Sequence, residues 1–120
     1  MKTLSFINLK GGVGKTISAA NVAHILATVH GKRVLLVDGD KQGNTSQYFR
    51  LYGEQDGTAA LLMDPARDVL ETIYSTQYKG LDVITSNMDL YAADRAIYED
   101  VERDTSGALK AALRRVGADY

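Results

Sequence analysis

The sequence has 120 residues, with 14 basic and 15 acidic side chains and no cysteine. An apolar fraction of 45% and a charged fraction of 24% are ordinary for one small globular domain or part of a larger one, so wholesale disorder is excluded. The net charge of −1 gives no bulk support for nucleic-acid binding, and the lack of cysteine excludes disulfides and thiolate metal sites in these residues.

The first forty residues predict a strand, a helix and a second strand. Residues 3–9 are mostly apolar and β-branched or aromatic, which indicates a buried strand that ends in a glycine loop. Residues 15–29 follow with a helical pattern in which polar side chains form one thin stripe, so we expect a helix covered on most sides. Residues 33–38 are continuously apolar up to Asp38, which is typical of a buried parallel strand. Together these segments predict a βαβ unit.

The rest of the chain predicts further alternation of helix and strand. Short helices are expected at residues 58–63 and 68–73, and an alternating third strand at residues 81–86. Spaced apolar residues predict one helix from Leu90 to Val101 and another around residues 109–116, the second opened by Thr105 or Ser106. The predicted fold class is α/β, with a parallel sheet and flanking helices.

Residues 10–16 carry the strongest functional signal, the sequence Lys-Gly-Gly-Val-Gly-Lys-Thr between a predicted strand and a predicted helix. The glycines allow successive backbone N–H groups to turn inward, and the start of the helix adds a positive dipole end. Lys15 can contact β- and γ-phosphates, and the Thr16 hydroxyl can bind Mg²⁺. The alternative is a glycine-rich turn with ordinary surface lysines. A strict phosphate-loop pattern requires glycine where this chain has Leu9.

The same seven residues resemble the deviant Walker A motif of the ParA/MinD class of ATPases, in which the first lysine is a signature residue. Residues 34–44 resemble the second motif of ParA (Soj) partition ATPases, and residues 81–87 are similar to a later segment of those proteins. The Gln-Gly-Asn ending of the second motif favours ParA over MinD. The resemblance covers nearly the whole chain, so residues 1–120 are expected to be the N-terminal part of a ParA-like P-loop ATPase domain.

The resemblance implies a role for each matching residue. Lys10 would reach across an ATP-dependent homodimer to the partner's phosphates, and Lys10, Lys15 and Asp40 would act in catalysis. Asp40 would position the attacking water, and Thr16, Asp38 and Asp40 would order Mg²⁺ and its hydration shell. Without the phosphate loop, Asp38 and Asp40 would be interpreted as a solvated pair in a turn. The residues implied to bind ATP are Lys10, Gly11, Gly12, Val13, Gly14, Lys15, Thr16 and Ile17.

Two features depart from the family pattern. Lys41 replaces a proline and Gly39 replaces an apolar residue, so we expect a looser loop around Asp40. In ParA-like proteins the last helix is followed by the Walker B strand, which lies between the phosphate-loop strand and the strand at residues 33–38. We expect that strand and later elements to be absent here, with ATP hydrolysis weak or lost and strand-swapped dimers possible.

The implied function is an ATP-binding ATPase for plasmid or chromosome partition, with a ParB-like partner that binds centromere-like DNA. DNA binding itself is expected only of a full-length protein. The alternatives are a truncated nucleotide-binding or interaction module without turnover, and another deviant Walker A ATPase of the MinD-like or cobyrinic acid amide synthase-like kind. No apolar run approaches the roughly 20 residues of a membrane helix, and residues 1–8 do not have the pattern of a signal peptide, so we expect a cytoplasmic protein without membrane association.

Overall fold

The computed structural model describes residues 1–100 and 107–120. It contains helices on both faces of a small β-sheet. In chain order the elements are α1 (Lys15–Thr28), β1 (Val34–Val37), α2 (Asn44–Tyr48), α3 (Thr58–Met63), a 3₁₀ helix (Val69–Thr72), β2 (Ile73–Ser75), β3 (Leu81–Ile84), α4 (Asp89–Glu99) and α5 (Ala108–Arg115).

The sheet has the order β1-β3-β2, with β3 in the centre. β1 runs parallel to β3, with Val34 opposite Leu81 and Val37 opposite Ile84. β2 runs antiparallel to β3, which differs from the expected all-parallel sheet. The connection from β2 to β3, residues 76–80, is too short for the crossover that a parallel pair requires. The sheet is therefore mixed, within the predicted α/β class.

Alternate residues of β1 face opposite sides of the sheet. Val34 and Leu36 pack with the cluster that α1 contributes, whereas Leu35 and Val37 pack with the cluster beneath α3 and α5. This alternation explains why the strand is continuously apolar, since both of its faces are covered. The first cluster is centred on Ala23, Ala27 and Leu81, and the second on Leu61, Val69, Ile84, Ala112 and Val116.

The strand predicted at residues 3–9 is not formed. Residues 1–8 have no regular secondary structure, and the side chains of Ile7 and Leu9 are 86% and 106% exposed. A strand needs a neighbour with which to exchange backbone hydrogen bonds, and β1 makes its ladder with β3 only. Within the described residues, the other edge of β1 has no partner strand. The prediction was wrong because it rested on the local apolar character of residues 3–9 and took no account of whether a neighbouring strand could pair with them.

The prediction that α1 is covered on most sides was also wrong. Its buried residues are Ala20, Ala23 and Ala27, which lie on one face at helical spacing. In contrast, Ile17 and Ile25 are 53% and 47% exposed. The alanine face packs on β1 and β3, while Ile17 and Ile25 lie on the exposed side of the helix.

Several other predictions are confirmed. The strands at residues 33–38 and 81–86 form with slightly shorter bounds, and helices occur at residues 58–63 and from Asp89 onward. Within the helix predicted at residues 68–73, Val69–Thr72 form a 3₁₀ helix that leads into β2. The short helix α2 was not predicted. Val101, Thr105 and Ser106 lie outside the described residues. None of the described helices has the length and apolar character needed to span a membrane.

Candidate functional site

The loop before α1 adopts the backbone conformations that its glycines were expected to provide. Gly12 and Gly14 have φ values of +69° and +85°, in the left-handed region that favours glycine. Gly14 is the N-cap of α1, and no side chain caps the helix. The first N–H groups of any α-helix lack partners within the helix, so an uncapped start leaves donors for an anion.

The two lysines of this loop lie next to each other. The Lys15 ammonium donates to the Lys10 carbonyl oxygen over 3.2 Å, and the Lys10 N–H donates to Asn8 Oδ1 over 2.9 Å. Neither lysine forms an ion pair with any acidic side chain among residues 1–100 and 107–120. Residues 10–14 are exposed, and Lys15 and Thr16 are half-buried. The loop therefore combines backbone donors with two positive charges that the described residues do not neutralise.

Asp38 follows β1 and is buried, with 3% of its surface exposed. Its Oδ1 accepts a hydrogen bond from the Asp40 N–H over 3.1 Å. Its Oδ2 accepts from the Ser46 N–H over 2.9 Å and from the Ser46 hydroxyl over 2.7 Å. Both carboxylate oxygens are thus engaged by the chain itself, which ties the start of α2 to the end of β1.

The hydroxyl of Ser46 extends this network to the neighbouring strand. Ser46 Oγ accepts from the Ser86 N–H over 2.9 Å, just beyond β3, and Thr58 Oγ1 donates to the Asp38 carbonyl oxygen over 2.6 Å. The carboxyl ends of β1 and β3 are therefore joined through Asp38 and Ser46. The sequence did not predict these roles for Ser46, Thr58 and Ser86. The position of Ser46, two residues after the Gln-Gly-Asn end of the second motif, is the pattern that could have indicated it.

Asp40 has a different environment from Asp38. It is half-buried, its Oδ1 accepts from the Gln42 N–H over 3.0 Å, and its carbonyl oxygen accepts from the Gly43 N–H over 2.8 Å. Its second carboxylate oxygen accepts no hydrogen bond from the residues that the structure describes. Asp40 therefore keeps a carboxylate oxygen available to a water molecule or a hydrated cation.

The loop around Asp40, expected to be loose, is restrained at its end. Gly43 has a φ of +60°, and a Cβ there would lie 2.6 Å from the Ser86 carbonyl oxygen and from the Tyr52 ring. A side chain at this position would clash with backbone as well as with the ring. Lys41 and Gln42 also contact α4, through Asp94 and Tyr91.

The predicted residues form two groups. One contains Lys10 and Lys15 with the glycine loop, and the other contains Asp38 and Asp40. No hydrogen bond or ion pair between described residues links the two groups. Within the described ranges, no three His, Asp or Glu side chains converge to hold a metal ion. At a nucleotide-binding site, Mg²⁺ takes part of its oxygen ligands from phosphates and water, so it needs few ligands from the protein. One hydroxyl, that of Thr16, and few carboxylates are compatible with such a site.

Known proteins are similar to this chain along its whole length. A family model described as an AAA domain matches residues 1–120. The sporulation initiation inhibitor protein Soj of Bacillus subtilis is 36% identical over 99% of this chain and 46% of its own length. The chromosome partitioning protein ParA of Caulobacter vibrioides is 36% identical over 99% of this chain and 44% of its own length. The chain thus spans less than half the length of these curated relatives.

Solved structures show the same fold. Cobyrinic acid a,c-diamide synthase from Mycobacterium smegmatis, with a bound ATP analogue and magnesium, has a TM-score of 0.83 at 28% identity, covering 95% of this chain and 46% of that one. A plasmid partition protein from Borrelia burgdorferi has a TM-score of 0.79 at 28% identity, covering 96% of this chain and 50% of that one. The chain belongs to the AAA domain family and is a homologue of the Soj and ParA partition ATPases.

Proposed function

We propose that residues 10–17 bind the phosphates of ATP with Mg²⁺, as part of a ParA-like P-loop ATPase domain. One observation carries the proposal: a loop with left-handed Gly12 and Gly14 opens onto an uncapped helix and holds two lysines that make no ion pair with the described residues. Backbone donors, a positive helix end and unneutralised ammonium groups together favour a polyphosphate over a carboxylate ligand.

For hydrolysis, we propose separate roles for the two aspartates. Asp40 has a carboxylate oxygen that no described donor occupies, which suits a group that orients the attacking water. Asp38 is buried and bonded to Ser46, so it would act on the site mainly by holding Asp40 and α2 in place. A bound magnesium ion would reduce the charge repulsion between the phosphates and these carboxylates.

We further propose that nucleotide binding is coupled to homodimerisation and to partition of a plasmid or chromosome with a ParB-like partner. Lys10 is exposed and precedes the loop, a position from which its ammonium can contact the phosphates bound by a second copy. The names of the chromosome partitioning protein ParA and of the plasmid partition protein support this role. The activity and partners of the whole protein, including any contact with DNA, form part of this proposal.

The structural likeness to cobyrinic acid a,c-diamide synthase favours a second candidate function. That enzyme was crystallised with an ATP analogue and magnesium, and its TM-score with this chain is as high as 0.83. In this alternative the same loop would bind ATP for an amide-forming reaction. ATP hydrolysis without an amide acceptor, stimulated by a ParB-like protein, would favour partition over this alternative.

The experiment is a calorimetric titration of the chain with ATP and Mg²⁺. Lys15→Ala should weaken binding at least about tenfold, because it removes a charge-assisted contact to the phosphates. Lys110→Ala on α5 is the matched control, since it removes an equal charge from an exposed position outside the loop, and it should leave binding unchanged. Lys10→Ala should lose ATP-dependent dimers. Equal affinity for the original chain and Lys15→Ala would contradict the proposed phosphate site.

A further inference from the structure

Two neighbouring side chains attach the Asp40 loop to α4. The Lys41 ammonium forms an ion pair with Asp94 and lies 5.1 Å from the centroid of the Tyr91 ring. The Gln42 side-chain amide donates to the Tyr91 hydroxyl over 2.9 Å. Tyr91 and Asp94 are three residues apart, and so lie on one face of the helix. The residues that follow Asp40 are thus bound to adjacent positions on a separate element.

These contacts act on the backbone that orients Asp40. The Gln42 N–H donates to Asp40 Oδ1, and the Gly43 N–H donates to the Asp40 carbonyl oxygen. A shift of residues 41–43 away from Asp40 would therefore weaken one hydrogen bond to the Asp40 carboxylate and one to its backbone carbonyl oxygen. The remaining hydrogen bond, from the Asp40 N–H to Asp38, restrains the backbone on the other side.

We propose that Lys41, bound by Tyr91 and Asp94, is a positioning residue that keeps the Asp40 carboxylate in place for ATP hydrolysis. The inference rests on the proposed function and adds α4 to the parts of the site. Lys41 therefore acts through α4 and not as a phosphate ligand. A proline, the residue that Lys41 replaces in the resembling motif, would restrain the same backbone through its fixed φ.

The chemistry of the contact suits this role. The Lys41 ammonium is charged at neutral pH, so its contact with the Asp94 carboxylate is an ion pair as well as a hydrogen bond. An ammonium near a tyrosine ring also gains a favourable cation–π contact. Both partners are partly exposed, with 40% of the Lys41 side chain and 57% of the Asp94 side chain accessible. Salt should therefore weaken the pair, and we expect it to restrain the loop without locking it.

The first test is amide hydrogen exchange by NMR on the chain without nucleotide. Lys41→Ala and Asp94→Ala should each speed exchange at Gln42 and Gly43 by about two- to fivefold, because both remove the same exposed ion pair. The double variant should add little to either single variant. Arg95→Ala is the matched control, since Arg95 lies beside Asp94 but pairs with Glu99. Unchanged exchange in Lys41→Ala and Asp94→Ala would overturn the inference.

The second test is steady-state ATP hydrolysis by the protein that carries this sequence. Lys41→Ala and Asp94→Ala should lower kcat by a similar factor of about two to five and leave KM for ATP unchanged. The charge-reversed pair, Lys41→Asp with Asp94→Lys, should recover part of kcat. A raised KM in Lys41→Ala alone would show a phosphate contact and overturn the inference, as would faster exchange with unchanged kcat.

The two tests separate this inference from the proposed function. If the protein with the original sequence and its Asp40→Asn variant both lack turnover, the proposed ATPase activity fails, and the proposed positioning for hydrolysis fails with it. If turnover depends on Asp40 while exchange at Gln42 and Gly43 does not depend on Lys41, the ATPase proposal stands. In that case only the role of Lys41 is overturned.

Discussion

Asp38 and Asp40 are separated by one residue, yet their surroundings differ, which is the basis for the separate roles proposed for them. Asp38 is buried and accepts hydrogen bonds on both carboxylate oxygens, two of them from Ser46. Asp40 is half-buried and accepts on one oxygen only from the described residues, through the Gln42 N–H. A buried carboxylate depends on such donors, because an unpaired one would be strongly destabilising. Asp38 is therefore tied to the fold and Asp40 is available for chemistry.

This difference predicts unequal effects of the same substitution. Asp38→Asn should lower the free energy of unfolding by about 1–3 kcal/mol, because an amide offers one acceptor oxygen to donors that use two. Asp40→Asn, the matched control, should change stability by less than about 0.5 kcal/mol, since its environment is more exposed. Urea denaturation monitored by circular dichroism measures both changes. Equal losses would contradict the assignment of separate tasks.

At the scale of elements, α1 shows how a mostly apolar helix packs through its smallest residues. Ala20, Ala23 and Ala27 form the buried face, which allows the helix backbone to approach the sheet closely. The larger side chains of Ile17 and Ile25 lie on the exposed side. This face places the start of α1, and with it the phosphate loop, relative to β1 and β3.

The packing of α1 predicts that a larger side chain lowers the free energy of unfolding on the buried face of the helix only. Ala23→Leu should lower the free energy of unfolding by about 1–3 kcal/mol, because the larger side chain has no room against the sheet. Ile25→Gln should change it by less than about 0.5 kcal/mol, as expected for an exposed position. Thermal unfolding of the two variants and the original chain would show the contrast. A large loss in Ile25→Gln would mean that this face is covered.

At the scale of the whole molecule, the C-terminal residue is tied to the central strand. The Tyr120 hydroxyl donates to Asp82 Oδ2 over 2.7 Å, and the Arg33 guanidinium lies 5.3 Å from the Tyr120 ring. Arg33 also lies 3.8 Å from the same Asp82 oxygen. Residues that precede β1, lie in β3 and follow α5 thus meet at one place. Burial first, and then the hydrogen bond to Asp82, raises the pKa of Tyr120 to about 12.

The raised pKa predicts a loss of stability in alkaline solution. An unfolded tyrosine ionises near 10.0, so the contribution of Tyr120 is complete below that pH and is lost as pH rises towards about 12. The Tm advantage of the original chain over Tyr120→Phe should therefore be constant up to about pH 9 and then shrink. Thermal unfolding between pH 8 and pH 11 tests this in matched buffers. A constant difference across that range would contradict it.

The pairing of strands across the whole molecule also explains why the strand predicted at residues 3–9 does not form. Residues 3–9 have the composition of a buried strand, but pairing is a long-range property that depends on a neighbour. β1 pairs on one edge only among the described residues, and the N-terminal segment remains exposed. The antiparallel direction of β2 has a local reason instead, because the connection to β3 is too short for a crossover.

The sequence by itself determined the features that depend on local chemistry. Glycines at positions 12 and 14 define where the backbone can turn left-handed, and a helix follows because residues 15–28 favour one. The motif at residues 10–16 was therefore recognisable without coordinates, as was the family resemblance. The second motif was recognised in the same way, from residues 34–44.

Only the tertiary structure decided which side chains became partners. The contacts of Asp38 with Ser46, of Ser46 with Ser86 and of Lys41 with Asp94 join residues 8, 40 and 53 positions apart. Such contacts leave no periodic pattern in a sequence, since they depend on where separate elements dock. The glycine loop could be predicted because its constraint is local, whereas the different tasks of the two aspartates depend on elements that fold around them.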